Sequence, residues 1–246
     1  MAKTWIDQTA IKTNLSAYFR QNELDLEKFG RTVNQTFEAF VFVSVAEWYT
    51  DHGWQVEVIN AVESETGKRE IHLKFNTRGR PDKYTYFKCK KGDQEIQIRH
   101  QLRIATYSYI EEDDDPRANI VLDVAVINSN DLSAFETDDH VENQHLITFG
   151  EAKHMSAFAE LVANFIGLVH ELKPDLLKRR KSRKLGNANR EHLAAFLYVS
   201  GLIYPTAQGI KKTIEKRGYD IDIYNRTETL SKASNLPVMP AKKKRP

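Results

Sequence analysis

The chain has 246 residues, 41% of them hydrophobic, enough to bury a substantial core in one domain with an insertion or in two domains. A formal charge of only +2 excludes a strongly basic protein, so any nucleic-acid footprint must come from how the charges are distributed. The single cysteine, Cys89, excludes an internal disulfide framework and a cysteine-rich zinc site, and no apolar run reaches the roughly 18 residues that span a bilayer.

The first residues lack the apolar core of a signal peptide, which with the absence of a membrane-length apolar run makes the cytoplasm the expected location. Residues 1–31 are expected to form a helical arm, with Ile11, Leu15, Tyr18 and Phe19 as its apolar stripe, serving packing or a partner. A stronger helix is predicted over 32–51, TVNQTFEAFVFVSVAEWYTD, apolar around most of its circumference as suits burial against a sheet. His52 and Gly53 end it, glycine being favoured just past a helix C-terminus. This helix holds Glu38 and Glu47, nine residues apart, which at about 100° per residue face opposite sides. Only one of them can reach a shared site.

Residues 54–62, WQVEVINAV, alternate as a first strand. A β-rich insertion is then expected over 63–118, whose strands interleave aromatic and basic residues as antiparallel hairpins with one packed and one wet, cationic face. Its basic positions are Arg78, Arg80 and Lys83 at a turn, Lys88, Lys90 and Lys91 around Cys89, and Arg99, His100 and Arg103 on the last strand. Such strands suit a phosphate backbone with stacked bases, or make an ordinary charged sheet surface. The acidic run 111–115, closed by Pro116, reads as a solvated loop.

Two apolar strands follow, NIVLDVAVIN and HLITFGEAK, joined by a polar connection over 129–144. Asp123 interrupts the first, and Glu151 and Lys153 stand two apart at the end of the second. Side chains in a strand alternate, so Glu151 and Lys153 share a face while Ala152 points away. Glu171 and Lys173 repeat the spacing at the end of a helix, where residues two apart diverge. Gly150, just before Glu151, marks a bulge or lets a backbone or ligand approach closely. If Asp123 lies alongside, two carboxylates and an amine converge on one oxygen-rich point able to hold a divalent cation beside a phosphate.

Beyond this motif, His154 is expected to be a hydrogen-bonded structural residue. Ser156 is the expected cap of a helix running to Leu172, with Phe158, Leu161, Val162, Phe165, Ile166 and Val169 on its buried side and Pro174 stopping it. Residues 178–184, KRRKSRK, with Lys178, Arg179, Arg180 and Lys181 leading, form the densest positive segment. It reads as a solvated loop, a nucleic-acid contact or a partner-binding segment. A strand over 192–200, a helix over 205–217 ended by Gly218, an edge strand over 219–224 and a flexible basic tail over 227–246 complete the order.

An acidic residue on one strand and (D/E)-x-K near the end of the next is the pattern of the PD-(D/E)XK nucleases, and Asp123, Glu151 and Lys153 resemble those three positions. Leu122 stands where the family name would put a proline. The resemblance implies a restriction-endonuclease-like α/β fold over 32–226, a mixed central sheet flanked by helices. It also implies Mg2+ or Mn2+ held by Asp123, Glu151 and the Ala152 carbonyl, with Lys153 acting on the attacking water. Glu38, in the more apolar part of its helix, is then the expected assisting glutamate.

The function expected on this resemblance is metal-dependent hydrolysis of phosphodiester bonds in DNA or RNA, with restriction, phage defence or repair as settings. Nucleic acid, DNA above all, is the expected partner, with the arm and basic linker suited to a protein partner or a second copy and no membrane involved. The alternative is an inactive nuclease-fold subunit that binds nucleic acid or serves as a scaffold. A nucleotide-using enzyme is disfavoured, because no glycine-rich phosphate loop follows a strand.

Overall fold

In a computed structural model the described residues are 6–21, 32–59, 62–63, 69–75, 80–109, 118–129, 140–178, 190–231 and 236–237. Helix α1 spans Gln8–Gln21 and α2 Val33–Asp51. A capping box opens α2: the Thr32 side chain accepts the Gln35 N–H while the Gln35 side chain accepts the Thr32 N–H, satisfying two donors that the helix start leaves open. His52 caps its other end, and Gly53 takes φ +80° just beyond, a conformation glycine enters without steric cost.

The strands are β1 Gln55–Ile59, β2 Val62–Glu63, β3 Arg69–Glu70, β4 Tyr86–Lys91, β5 Gln94–Ala105, β6 Asn119–Asn128, β7 Leu146–Lys153, β8 Ala195–Val199 and β9 Ile221–Tyr224. Seven form one mixed sheet in the order β1-β4-β5-β6-β7-β8-β9, antiparallel from β1 to β7 and parallel from β7 to β9. The segment expected as an insertion therefore supplies β4 and β5 directly to this sheet. Strands β2 and β3 pair separately as a short antiparallel ladder.

Helix α3 covers Ala159–Leu172 and α4 Pro205–Arg217. Strict alternation in β8 shows the layering. Phe196 and Tyr198 join the core with α1 and α2, while Ala195, Leu197 and Val199 join the core with α3 and α4. The fold is thus α/β, with helices on both faces of the sheet. Helix α1 is packed into the first core through Ile11, Leu15 and Phe19, so the described part of the expected arm lies against the domain. Phe87 anchors this layer, its ring 4.6 Å from that of Phe42 and 6.5 Å from that of Phe19. Such aromatic pairs contribute about 0.5–1.5 kcal/mol beyond the area they bury.

The start of α3 differs from the expected cap. Phe158 holds that position without a side-chain hydrogen bond, and the Ser156 hydroxyl instead accepts the Leu202 N–H at 3.2 Å. A close approach explains this, because a Cβ on Gly201 would meet Ser156 Oγ at 2.4 Å. Ser156 therefore ties the loop after β8 to the end of β7. Among the described residues, no helix is long and apolar enough to cross a membrane.

Candidate active site

The site lies where two neighbouring strands part. The β6–β7 ladder runs from Ile127↔Leu146 to Val124↔Gly150 and ends there. Beyond that point β6 continues only against β5, and β7 only against β8, through Lys153↔Val199. Asp123 stands in the fork. Its Oδ2 accepts the Ala152 N–H at 2.9 Å, so a side chain satisfies a buried backbone donor that the departing strand no longer serves.

The same oxygen lies 2.8 Å from Lys153 Nζ, and Lys153 Nζ lies 2.7 Å from Glu151 Oε2. Asp123, Glu151 and Lys153 are thus brought together as their strand positions predict. Asp123 is 7% exposed and Glu151 9%, which makes their joint burial costly unless a cation neutralises them. The Lys153 ammonium supplies that charge.

Electrostatics follow from this crowding. Burial pushes the Glu151 carboxyl up to about 7, and the Asp123 charge adds to the rise, against the opposing pull of Lys153. Burial works against the Lys153 ammonium, but the Glu151 and Asp123 charges outweigh it and hold its pKa above the ordinary lysine value. Glu151 Oε1 is buried with no hydrogen-bond partner. An oxygen left open beside a second carboxylate is a fitting ligand for a hard divalent cation.

Gly150 sits beneath the site. A Cβ there would come within 2.1 Å of the Phe196 ring, which lies across the gap from its paired strand. The glycine is therefore required by packing under the motif, rather than by a bulge.

Glu38 reaches the site from α2. Its Oε2 lies 3.2 Å from Gln101 Nε2, and Gln101 Nε2 lies 3.0 Å from Asp123 Oδ1. The Glu38 oxygen is also 3.7 Å from His100 Nε2. Glu47 is directed elsewhere: after burial, its charge is the next cause that raises the Tyr18 phenol pKa. Gln101 was not among the residues expected here. Its signal is conformational, a φ of +52° in the middle of a strand, which no sequence pattern displays.

The basic residues of β5 are placed differently from expectation. Arg99 is 5% exposed, stacked 3.5 Å from the Tyr86 ring centroid and donating to the Pro81 carbonyl and Gln97. His100, also 5% exposed, packs between the rings of Phe42 and Phe75. Both side chains are buried rather than on the wet side of β5: Pro81, Tyr86 and Gln97 enclose Arg99, and α2 packs over the face that holds His100. Arg103 is half-buried and donates to Asn119 Oδ1 at 2.7 Å. Lys88 and Lys90 both pair with Glu95, at 3.0 and 3.1 Å. Lys178 is exposed and bonded to Asp175. Arg78, Arg179, Arg180 and Lys181, with the acidic run 111–115, lie outside the described residues, as do 232–235 and 238–246 of the tail expected over 227–246, whose Leu230 and Leu236 are instead buried in the core with α1 and α2.

His154 accepts or donates at 2.7 Å to Ser200 Oγ, consistent with a structural histidine, and burial lowers its pKa. Cys89 is buried and its thiol is pushed up to about 12 by that burial, so it is inert. Among the described residues no group of three or more His, Cys, Asp or Glu side chains could hold a metal. Cation binding would therefore use the Asp123–Glu151 pair completed by backbone oxygen and water.

Comparison with known protein families, curated proteins and solved structures finds no match.

Proposed function

We propose that this protein is a Mg2+- or Mn2+-dependent nuclease on a restriction-endonuclease-like fold, hydrolysing phosphodiester bonds in DNA or RNA. The observation that carries the reading is the convergence of Asp123, Glu151 and Lys153 at the fork between β6 and β7, with Glu151 Oε1 left open. It is the pattern that the PD-(D/E)XK resemblance implies, now with contact distances.

Asp123, Glu151 and the Ala152 carbonyl would hold the cation. When bound, it supplies Lewis acidity, lowering the pKa of a water and offsetting charge on the phosphate. The carboxylates are fixed before substrate arrives: Asp123 by the Ala152 N–H and Gln101, Glu151 by its place on a central strand. Preset groups of this kind cost no reorganisation during the reaction. Lys153, with its raised pKa, carries a proton at neutral pH. It therefore orients the attacking water and offsets phosphate charge rather than taking a proton away. Water adds to phosphorus and gives up a proton to solvent, the bond from phosphorus to the leaving sugar oxygen breaks, and that oxygen takes a proton back from solvent.

The test is cleavage of single- and double-stranded DNA and RNA with Mg2+ or Mn2+, comparing wild type with Asp123→Ala, Glu151→Ala and Lys153→Ala. Cleavage by the wild type alone supports the reading. Equal cleavage by all four proteins removes the site. Salt-sensitive nucleic-acid binding by a wild type that never cleaves would mark a binding subunit instead.

A further inference from the structure

The backbone of β5 changes hand at one residue. Gln101 has φ +52°, and among the described residues it is the only non-glycine with positive φ. Glutamine has no intrinsic preference for that region, and such conformations persist where surrounding structure enforces them. On either side of it the strand changes allegiance. Ile96 and Ile98 belong to the core with α1 and α2, whereas Leu102 and Ile104 belong to the core with α3 and α4, although all four are even-numbered. The partner strand switches at the same level, with Val124 and Val126 in the first core and Leu122 in the second.

Gln101 falls directly across from Asp123, between the paired residues His100↔Val124 and Leu102↔Leu122. Its amide nitrogen contacts Glu38 Oε2 at 3.2 Å and Asp123 Oδ1 at 3.0 Å. An amide NH2 has two hydrogens, and here each has its own carboxylate. Only the nitrogen side of the amide can face two carboxylates, so its orientation is set by chemistry.

We infer that Gln101 is a positioning residue for the cation site. Its amide couples Glu38 on α2 to Asp123 on β6, turning Asp123 so that Oδ2 meets Ala152 and Lys153 while both carboxylates stay aimed at the fork. The inference rests on the metal-dependent nuclease reading and deepens it. A bond of this type behind a metal ligand typically changes metal affinity by about 10–100-fold when removed.

Two substitutions separate positioning from support of the fold. Gln101→Gly accepts the positive φ without strain but has no amide. Gln101→Asn tolerates the same backbone, yet is one methylene too short to span both carboxylates. Mn2+ binding by calorimetry and thermal unfolding are measured on the full chain for both variants and the wild type.

Both variants are expected to bind Mn2+ at least about tenfold more weakly while unfolding within about 4 °C of the wild type. Unchanged Mn2+ affinity in the variants overturns the inference and leaves the nuclease reading standing. Weaker binding that comes only with a larger drop in unfolding temperature assigns Gln101 to the fold and also overturns it. A wild type that binds no Mn2+ removes the nuclease reading, and the inference falls with it.

Discussion

The Asp123 carboxylate takes the Ala152 backbone N–H at 2.9 Å, one strand's side chain doing for its neighbour what a main-chain carbonyl does elsewhere in the sheet. One residue thereby serves the sheet and the candidate chemistry together. Removing it should cost both. Asp123→Ala leaves the Ala152 N–H without its acceptor and should lower stability by about 1–3 kcal/mol in urea unfolding. Asp123→Asn keeps one oxygen for that bond, so it should lose less stability while losing as much cleavage.

Glu151 sets the pH response. Its folded pKa, raised to about 7, means that the folded state holds a proton the unfolded state has released between pH 4.5 and about 7. Stability therefore falls as pH rises through that window and levels off above it, by at most about 3 kcal/mol. Glu151→Gln has no such slope. Urea unfolding at pH 5 and pH 8 should show the wild type losing stability relative to the variant, and Mn2+ affinity should rise over the same range as proton and cation compete.

Lys153 and a cation compete for the same two carboxylates. Lys153→Met should therefore bind Mn2+ at least as tightly as the wild type, while cleaving about 100-fold more slowly or worse. Calorimetry and a gel-based cleavage assay on the same preparations check the two halves. Weaker Mn2+ binding by Lys153→Met would show that the lysine supports the ligands rather than rivalling the ion.

Gly150→Ala tests the packing beneath the motif. The added methyl meets the Phe196 ring, whose displacement should cost about 1–3 kcal/mol in urea unfolding. A variant as stable as the wild type would show that Phe196 has room to turn.

What was legible in the chain was local. Asp123, Glu151 and Lys153 could be found because period-2 alternation puts Glu151 and Lys153 on one face and strands consecutive in sequence usually pair, even across the long polar connection from Asn128 to Leu146. The order of the larger elements was readable for the same reason, with α2 and α4 ending at glycines that take positive φ. Three things were not. Arg99 and His100 looked wet because alternation was read along the whole strand, whereas Pro81 and Tyr86 cover the one and Phe42 and Phe75 the other. Ser156 looked like a cap because its long-range bond to Leu202 has no local trace. Gln101 gave no sign at all, since its role depends on one dihedral angle and on partners 22 and 63 residues away.

The most direct measurement is an anomalous-scattering map from a crystal of the wild-type protein soaked in Mn2+. A peak in contact with the carboxylates of Asp123 and Glu151, with Lys153 Nζ displaced from between them, is the predicted result. A Mn2+ peak away from both residues, with the Lys153 ion pairs intact, would contradict the account.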